Sequence, residues 1–591
     1  MFEYGDDLYN VNDFSEVWPG AWFLNPKMLS TVDQISSSTK NESCWTLTRQ
    51  WIDQCSSSHK TCSESNPQWV PTRLLDITDY RKTGKVRLVT TSGIPGISGE
   101  HYVALSHCWG KKEFWVMGQH NKEQFEHGVS VKKLCRNFRN AVYVTSKLGL
   151  RYIWIDSLCI IQGSEQDWNA EAPLMNQVYT NAFITLAAMA SNDGYGGLFR
   201  RRNPDLVKPC KFRPTFDTGA KDCLLIPQDF WQTAMETAPL NQRAWVLQER
   251  LLAPRTLYFC ETQLFWECRE LTSCEVLEHV PKEIQLGTSH MEEDDVVGIK
   301  AWACAVEHVL PTHGSGDVQA GSGTGQIPVR QYETPYEVWG SLLDIYVKCA
   351  LTKPYDKFVA IAGLAKEFGK LVEDEYLAGL WRKNLINGLL WHVGDLTLFP
   401  LQPSTRPQEY RAPSWSWAAV DAPGTTRYAC EPDFQGEYAE VVEVDVEPVG
   451  EDRTGQLKDA HIRLQAFVIK LPEKPSFSAT FAASHCFGIF YPDVEGEIED
   501  EDLFCIPLRE LHIPGSTPIV DLVGLVVTPC SGEEDEAYAH FSCAAYKRVG
   551  YFRISKGEPL DRLGQLKPSN EDVIQYDWFD RNVGTVECVL L

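Results

Sequence analysis

Four short stretches of this chain gather side chains able to do chemistry. Ser106-His107-Cys108-Trp109-Gly110 brings together a hydroxyl, an imidazole, a thiol and an indole, and Asp156-Ser157-Leu158-Cys159 a carboxylate, a hydroxyl and a thiol. Each follows a short apolar run, the first at Tyr102–Leu105 and the second RYIWID. Both are therefore expected at carboxyl ends of strands, where open parallel sheets bind ligands. A carboxylate closing an apolar strand is partnered or functional; equally, Asp156 caps the next turn and Ser106 bonds a loop amide. Trp168, Glu171, Met175 and Tyr179 are spaced three, four and four residues apart, along one stripe of a helix. Glu171 then shares a face with large apolar side chains and needs a partner or a task. The other reading is a first-turn glutamate favoured by the helix dipole and facing water. Finally, Cys55-x3-His59-x2-Cys62, with Cys44 upstream, offers soft metal ligands. It lacks paired CxxC spacing and an obvious fourth ligand, so ordinary core cysteines and no structural zinc are expected.

Adjacent Ser106 and His107 point to opposite faces of a strand, which makes a poor nucleophile and base pair. No Walker A, HExxH or GxSxG motif occurs, and GIPGISG at Gly93–Gly99 is a turn without GxGxxG spacing. The tryptophans of APSWSWAAV and LFWEC are read as core and interface residues.

The elements that must position these groups begin with a mixed leader, residues 1–95, holding a helix-like CWTLTRQWIDQC and an extended KVRLVTT. Residues 102–250 alternate strand and helix. Leu134, Phe138, Ala141, Val142, Thr145 and Leu148 step by three and four, with Gly149 at the cap position. A second helix is expected over about Asp167–Thr180, then the strand FITLAAM. This β-α-β-α-β order predicts an α/β fold with a right-handed parallel sheet. A connecting region, 251–335, contains RTLYFC and QLFWEC as strands and a Gly/Ser-rich insertion, THGSGDVQAGSGTGQ. Residues 336–420 read as helical through YEVWGSLLDIYV, KFVAIAGLAKEF and LWRKNLINGLLW, and 421–591 as an antiparallel β domain with acidic loops.

The 591 residues are 43% apolar and 23% charged, which excludes a disordered or collagen-like chain. A net charge of −25 weighs against nucleic-acid or membrane-surface binding. The start, MFEYGDDLYN, has neither a basic nor an apolar segment, and the longest apolar stretch, AFITLAAMA, is about half of what a bilayer crossing needs. Nineteen scattered cysteines are expected to be reduced thiols in a cytoplasmic protein, which leaves Asn41-Glu-Ser a chance sequon.

YVALSHCWG, LRYIWIDSLCIIQGSEQDWNAEAPLMNQVYTNAFITLAA and NQRAWVLQER resemble, in order, the three diagnostic blocks of the fungal heterokaryon incompatibility (HET) domain, over about Tyr102–Arg250. CSSSHKTC with VPTRLLDI upstream, and RAPSWSWAAV downstream, resemble its usual flanks. Gly163 departs from the acidic residue members commonly carry after CIIQ, so no role is carried to that position. The resemblance implies a Rossmann/flavodoxin-like fold distantly similar to Toll/interleukin-1 receptor (TIR) domains. It also implies programmed cell death on fusion of unlike hyphae, an innate-immunity type of response working through self-association and protein partners. Some TIR domains cleave NAD at the nicotinamide–ribose bond with a helix-borne glutamate. Carried over, Glu171 is the catalytic carboxylate holding the ribose, Asp156 and Ser157 orient it, Trp109 stacks on a ring, Ser106 lies beside it and amides near Gly110 meet phosphate. NAD is then a substrate, and no resident cofactor is implied. Signalling without chemistry, NAD hydrolysis, and another regulatory role that merely retains the domain all stand as readings.

Overall fold

The computed structural model describes residues 21–591 except 30–34, 63–65, 67, 214–221, 282–283, 286–299, 301, 311–333, 394–403, 423–425, 428–433, 472–480, 484–485, 495–501, 513–519, 531–542 and 557–584. The Gly/Ser-rich tract at 312–326, the acidic run at 532–537 and all but the last two residues of the acidic run at 495–503, expected as loops, lie outside the described residues. What is described falls into two compact units, one ending at His308 and one made chiefly of Tyr332–Leu591.

A nine-stranded sheet organises the first unit. Its strands are β1 (Arg73–Asp76), β2 (Lys85–Thr90), β3 (Tyr102–Ser106), β4 (Val129–Ser130), β5 (Tyr152–Trp154), β6 (Ile184–Ala187), β7 (Arg255–Phe259), β8 (Leu264–Cys268) and β9 (Thr272–Cys274), ordered β9-β8-β7-β6-β3-β5-β1-β2-β4. The central β7, β6, β3 and β5 run parallel. β1, β2 and β4 extend one flank antiparallel, and β8 and β9 the other. The sheet is therefore mixed, where a parallel one was expected. The four residues between β7 and β8 explain one flank, since so short a connection can join only antiparallel neighbours. β3, β5, β6, β7 and β8 are buried along their whole length, which is why YVALS, YIW, ITLA and LFWEC read as near-continuous apolar runs.

Five helices matter to the site: α1 (Glu42–Ser58), α2 (Arg136–Lys147), α3 (Glu165–Glu171), α4 (Met175–Thr180) and α5 (Ala244–Leu252). α2 buries Phe138, Ala141, Val142 and Thr145, the stripe its spacing predicts. The single helix expected over 167–180 is two. Pro173 has no amide hydrogen to continue the ladder, and a 3-10 turn at Ala172–Leu174 separates α3 from α4. A small antiparallel sheet joins Ala21–Leu24 to Cys223–Pro227, and Cys223–Pro227 to Cys210–Phe212.

The second unit carries helices α6 (Pro335–Tyr346) and α7 (Val359–Val372) and a ten-stranded sheet. Its long strands are β10 (Ala439–Pro448), β11 (Leu457–Ala466), β12 (Phe504–His512), β13 (Val520–Pro529), β14 (Ala544–Lys556) and β15 (Val586–Leu590). β14 and β15 pair in parallel, so this sheet too is mixed where an antiparallel one was expected. LWRKNLINGLLW, expected as one helix, is a two-residue strand, a 3-10 turn at Arg382–Asn384 and a helical turn at Leu385–Gly388. Asn384, Asn387 and Gly388 are poor helix formers, and burial of Trp381, Leu389, Leu390 and Trp391 governs the path instead. No described helix is long and apolar enough to cross a membrane.

Because β6 lies between β3 and β7, stopping the chain at Arg250 removes one of its two neighbours. Hydrogen exchange on such a truncation is expected to show lost protection at Ile184–Ala187 relative to the full chain. Equal protection of residues 102–250 in both proteins would mean that this segment folds on its own.

Candidate functional site

Two of the predicted strand ends build one polar cluster. β3 ends at Ser106, whose hydroxyl donates to a carboxylate oxygen of Glu249 on α5, both groups being buried. Burial pushes the Glu249 carboxyl up to about 7, and the Ser106 hydrogen bond and the Arg243 guanidinium only partly oppose this. The Tyr179 hydroxyl, on α4, donates to the Leu105 carbonyl at 3.5 Å. A carboxyl poised there accepts or returns a proton near neutrality.

His107 faces the other way, edge-on to Phe138 of α2 at 5.0 Å between ring centres. Its Nδ1 lies 3.7 Å from Oδ1 of Asp156. Its Nε2 has no hydrogen-bond partner among the described residues. Burial lowers its pKa against the pull of Asp156, so the ring is neutral at ordinary pH. Asp156, just past β5, also accepts from the Trp109 indole at 2.7 Å and from the Ser157 amide at 2.6 Å. Its side chain is 22% exposed and Trp109 is half-buried, so this pair meets solvent. The Ser157 hydroxyl is fully buried and has no partner among the described residues. Arg243 Nη1 closes the cluster on the His107 carbonyl at 2.5 Å.

Gly110 serves by its lack of a side chain. Its φ is +68°, and a Cβ there would stand 2.5 Å from Cβ of Asp193 and 2.7 Å from the Asn192 carbonyl oxygen. The loop after β3 is thus pressed against the loop after β6.

Glu171 has different company. On the last turn of α3 it is buried and accepts from Arg73 Nη2 at 3.2 Å. The same guanidinium binds Asp167 through two bonds of 2.9 and 2.6 Å and the Cys159 carbonyl at 2.6 Å. Burial raises the Glu171 pKa while Arg73 opposes it. This knot ties β1 to α3. Among the described hydrogen bonds, none joins Glu171 to Ser106, Trp109, Gly110, Asp156 or Ser157.

Residues 102–249 match the family model described as Heterokaryon incompatibility protein (HET). That segment is a HET domain. No match was found among curated proteins or among solved structures.

The HET match runs from the start of β3 to Glu249 itself, so both ends of the Ser106–Glu249 bond lie within it. Reading the sequence did not single out Glu249. The available signal was a lone Gln-Glu pair inside AWVLQERLL, a nine-residue helix whose other residues are mostly apolar and buried. It also left Cys55, His59 and Cys62 one ligand short of a metal site. The fold adds Cys268, whose sulfur lies within 4.8 Å of the other three ligand atoms.

The raised Glu249 pKa has a measurable cost. The folded state holds that proton more tightly than the unfolded chain, so this contribution is complete below the ordinary value of 4.5 and is lost as pH rises through about 7. The size is roughly 3 kcal/mol. Urea midpoints should fall between about pH 5 and about pH 8, and Glu249→Gln should flatten that fall. An unchanged slope in the variant would place the titrating group elsewhere.

Proposed function

We propose that this HET-domain protein acts in heterokaryon-incompatibility signalling, the programmed cell death that follows fusion of unlike fungal hyphae, through self-association and protein partners in the cytoplasm. The family match carries this reading. Expression of the full chain in hyphae is expected to kill the cells or arrest their growth. Normal growth at verified expression would favour another regulatory role.

A second reading, hydrolysis of NAD as the effector chemistry, is favoured by the strand-end cluster. The parallel strands, taken in chain order β3, β5, β6 and β7, lie side by side as second, first, third, fourth. That is the order of flavodoxin-like folds, which supports the TIR-like reading and points to the switch between β3 and β6 as the crevice. The loops leaving those two strands are the ones that meet at Gly110. In this reading Trp109 stacks on a ring of the dinucleotide, and amides near Gly110 meet phosphate. Nicotinamide departs from the ribose with the electron pair of the broken C–N bond and needs no proton, because the ring starts as a cation. Asp156 stabilises the positive charge left on the ribose, Ser157 helps to orient the sugar, and water completes the bond at that carbon. Glu249, with Ser106, takes up the proton released by that water. Asp156 and Glu249 thus take the part that the resemblance assigns to Glu171, which is left to hold Arg73.

Nicotinamide release from NAD by the purified full chain tests this. Asp156→Asn and Glu249→Gln are expected to lower the rate by about 10²–10³, the usual cost of losing one charge-stabilising group. Glu171→Gln should retain most of it if the variant stays folded. Loss confined to Glu171→Gln would return the role to α3, and no release by the wild-type chain would leave signalling by contact alone.

A further inference from the structure

We propose that Cys55, His59, Cys62 and Cys268 form a structural zinc site that fastens the segment before the HET match to the strands after it. The sequence supplies three ligands at one helix end. Cys55 lies on the last turn of α1, His59 is the residue that ends the helix, and Cys62 follows three positions later. The fourth, Cys268, closes β8, 209 residues after His59. The expectation of no metal rested on the want of paired CxxC spacing and of that ligand. Only folding brings it in, with Trp51 of α1 stacked on Trp266 of β8 at 6.0 Å between ring centres.

The geometry suits zinc. All four ligand atoms lie within 4.8 Å of one another, with His59 Nδ1 3.7 Å from the Cys62 sulfur and 3.3 Å from the Cys268 sulfur. Tetrahedral zinc, with Zn–S of about 2.3 Å and Zn–N of about 2.0–2.1 Å, separates sulfur from nitrogen by about 3.6 Å and two sulfurs by about 3.8 Å. The three cysteines are free thiols and all but sealed from solvent. Cys44, the other upstream thiol, points to Glu275 instead. With four protein ligands the site is closed, so the metal would be structural and carry no water for catalysis.

The surroundings are those a thiolate site requires. Three thiolates around a divalent ion carry one net negative charge, and the buried guanidinium of Arg255 lies against them. Its Nε donates to the Cys55 sulfur at 3.2 Å and its Nη2 to the Cys62 carbonyl at 3.1 Å. Such hydrogen bonds orient ligands and favour the deprotonated sulfur. The loop carrying His59 and Cys62 is held from the β8 side as well. The Thr61 amide donates to Glu270 at 2.7 Å, and Arg269 donates to the Thr61 carbonyl at 2.6 Å.

Elemental analysis of the full chain, purified without chelator, is expected to find one zinc per chain. Cobalt(II) added to the chelator-stripped protein should give the intense visible bands of a tetrahedral ion and a near-ultraviolet sulfur-to-metal band. Cys268→Ser is expected to lower bound zinc to below about a tenth of an equivalent. Where that variant does not fold, His59→Cys serves instead, since it should keep the zinc and strengthen the sulfur-to-cobalt band. Zinc absent from the wild-type chain with no tetrahedral cobalt spectrum overturns the site. So does zinc unchanged in Cys268→Ser, or a disulfide linking two of the three thiols in protein isolated without reductant.

Discussion

A carboxylate taken out of water must be given a cation, a set of hydrogen-bond donors or a proton, and the first unit is arranged around how each of its buried acids meets that demand. Asp76 ends β1 and lies 3.0 Å from both Arg87 and Arg151, which more than offset its burial and hold its pKa below the usual range. Glu275 takes Arg202, Asp167 and Glu171 share Arg73, and Glu267 takes Arg250. For Glu267, burial raises the carboxyl but Arg250 outweighs it, giving about 2. Glu249 meets the demand differently. Its hydrogen bond comes from the Ser106 hydroxyl, Arg243 acts on it from a distance, and the outcome is a proton held to about 7. The charged pairs fasten strands and helices together, while Glu249, answered by a hydroxyl, keeps a proton that can move.

The same demand shapes the second unit. Asp493 and Arg548 are both fully buried, with Arg548 Nε 3.0 Å from the carboxylate and Nη1 donating to the Leu389 carbonyl at 2.6 Å. Breaking such a pair on one side costs about 3–5 kcal/mol, whereas replacing both partners by apolar groups often costs little. The pair is therefore better understood as specifying how β14 meets the 389–391 segment than as a large source of stability.

What the sequence made legible follows from local physics. The strand ends at Ser106 and Asp156, the amphipathic α2 and the runs RTLYFC and QLFWEC are all where apolar periodicity puts them, because burial on a sheet or a helix face leaves a pattern in neighbouring residues. What it hid depends on distant pairs. Glu249 looks like any helical glutamate until α5 is laid against Ser106, and Cys268 looks like a core thiol until β8 is laid beside α1. The partner of Glu171 is equally distant, since Arg73 stands in a strand about a hundred positions earlier. The break at Pro173 is a local feature too, and the stripe of Trp168, Met175 and Tyr179 runs on across it.

The placement of β6 and β7 has a consequence for how the protein is made. Synthesis delivers β3, β5 and β6 well before β7, with 67 residues from Ala188 to Pro254 between the last two. Until Phe259 has left the ribosome, β6 presents an apolar edge whose Thr185, Leu186 and Ala187 have no strand beside them on that side. At roughly 5–20 residues per second that interval is several seconds. An open edge of this kind pairs readily with a stray strand of another chain. The nascent protein is thus most exposed to misassembly after the HET segment has emerged and before the strands that follow it arrive, a window in which a chaperone holding β6 would matter more than one acting on the finished chain.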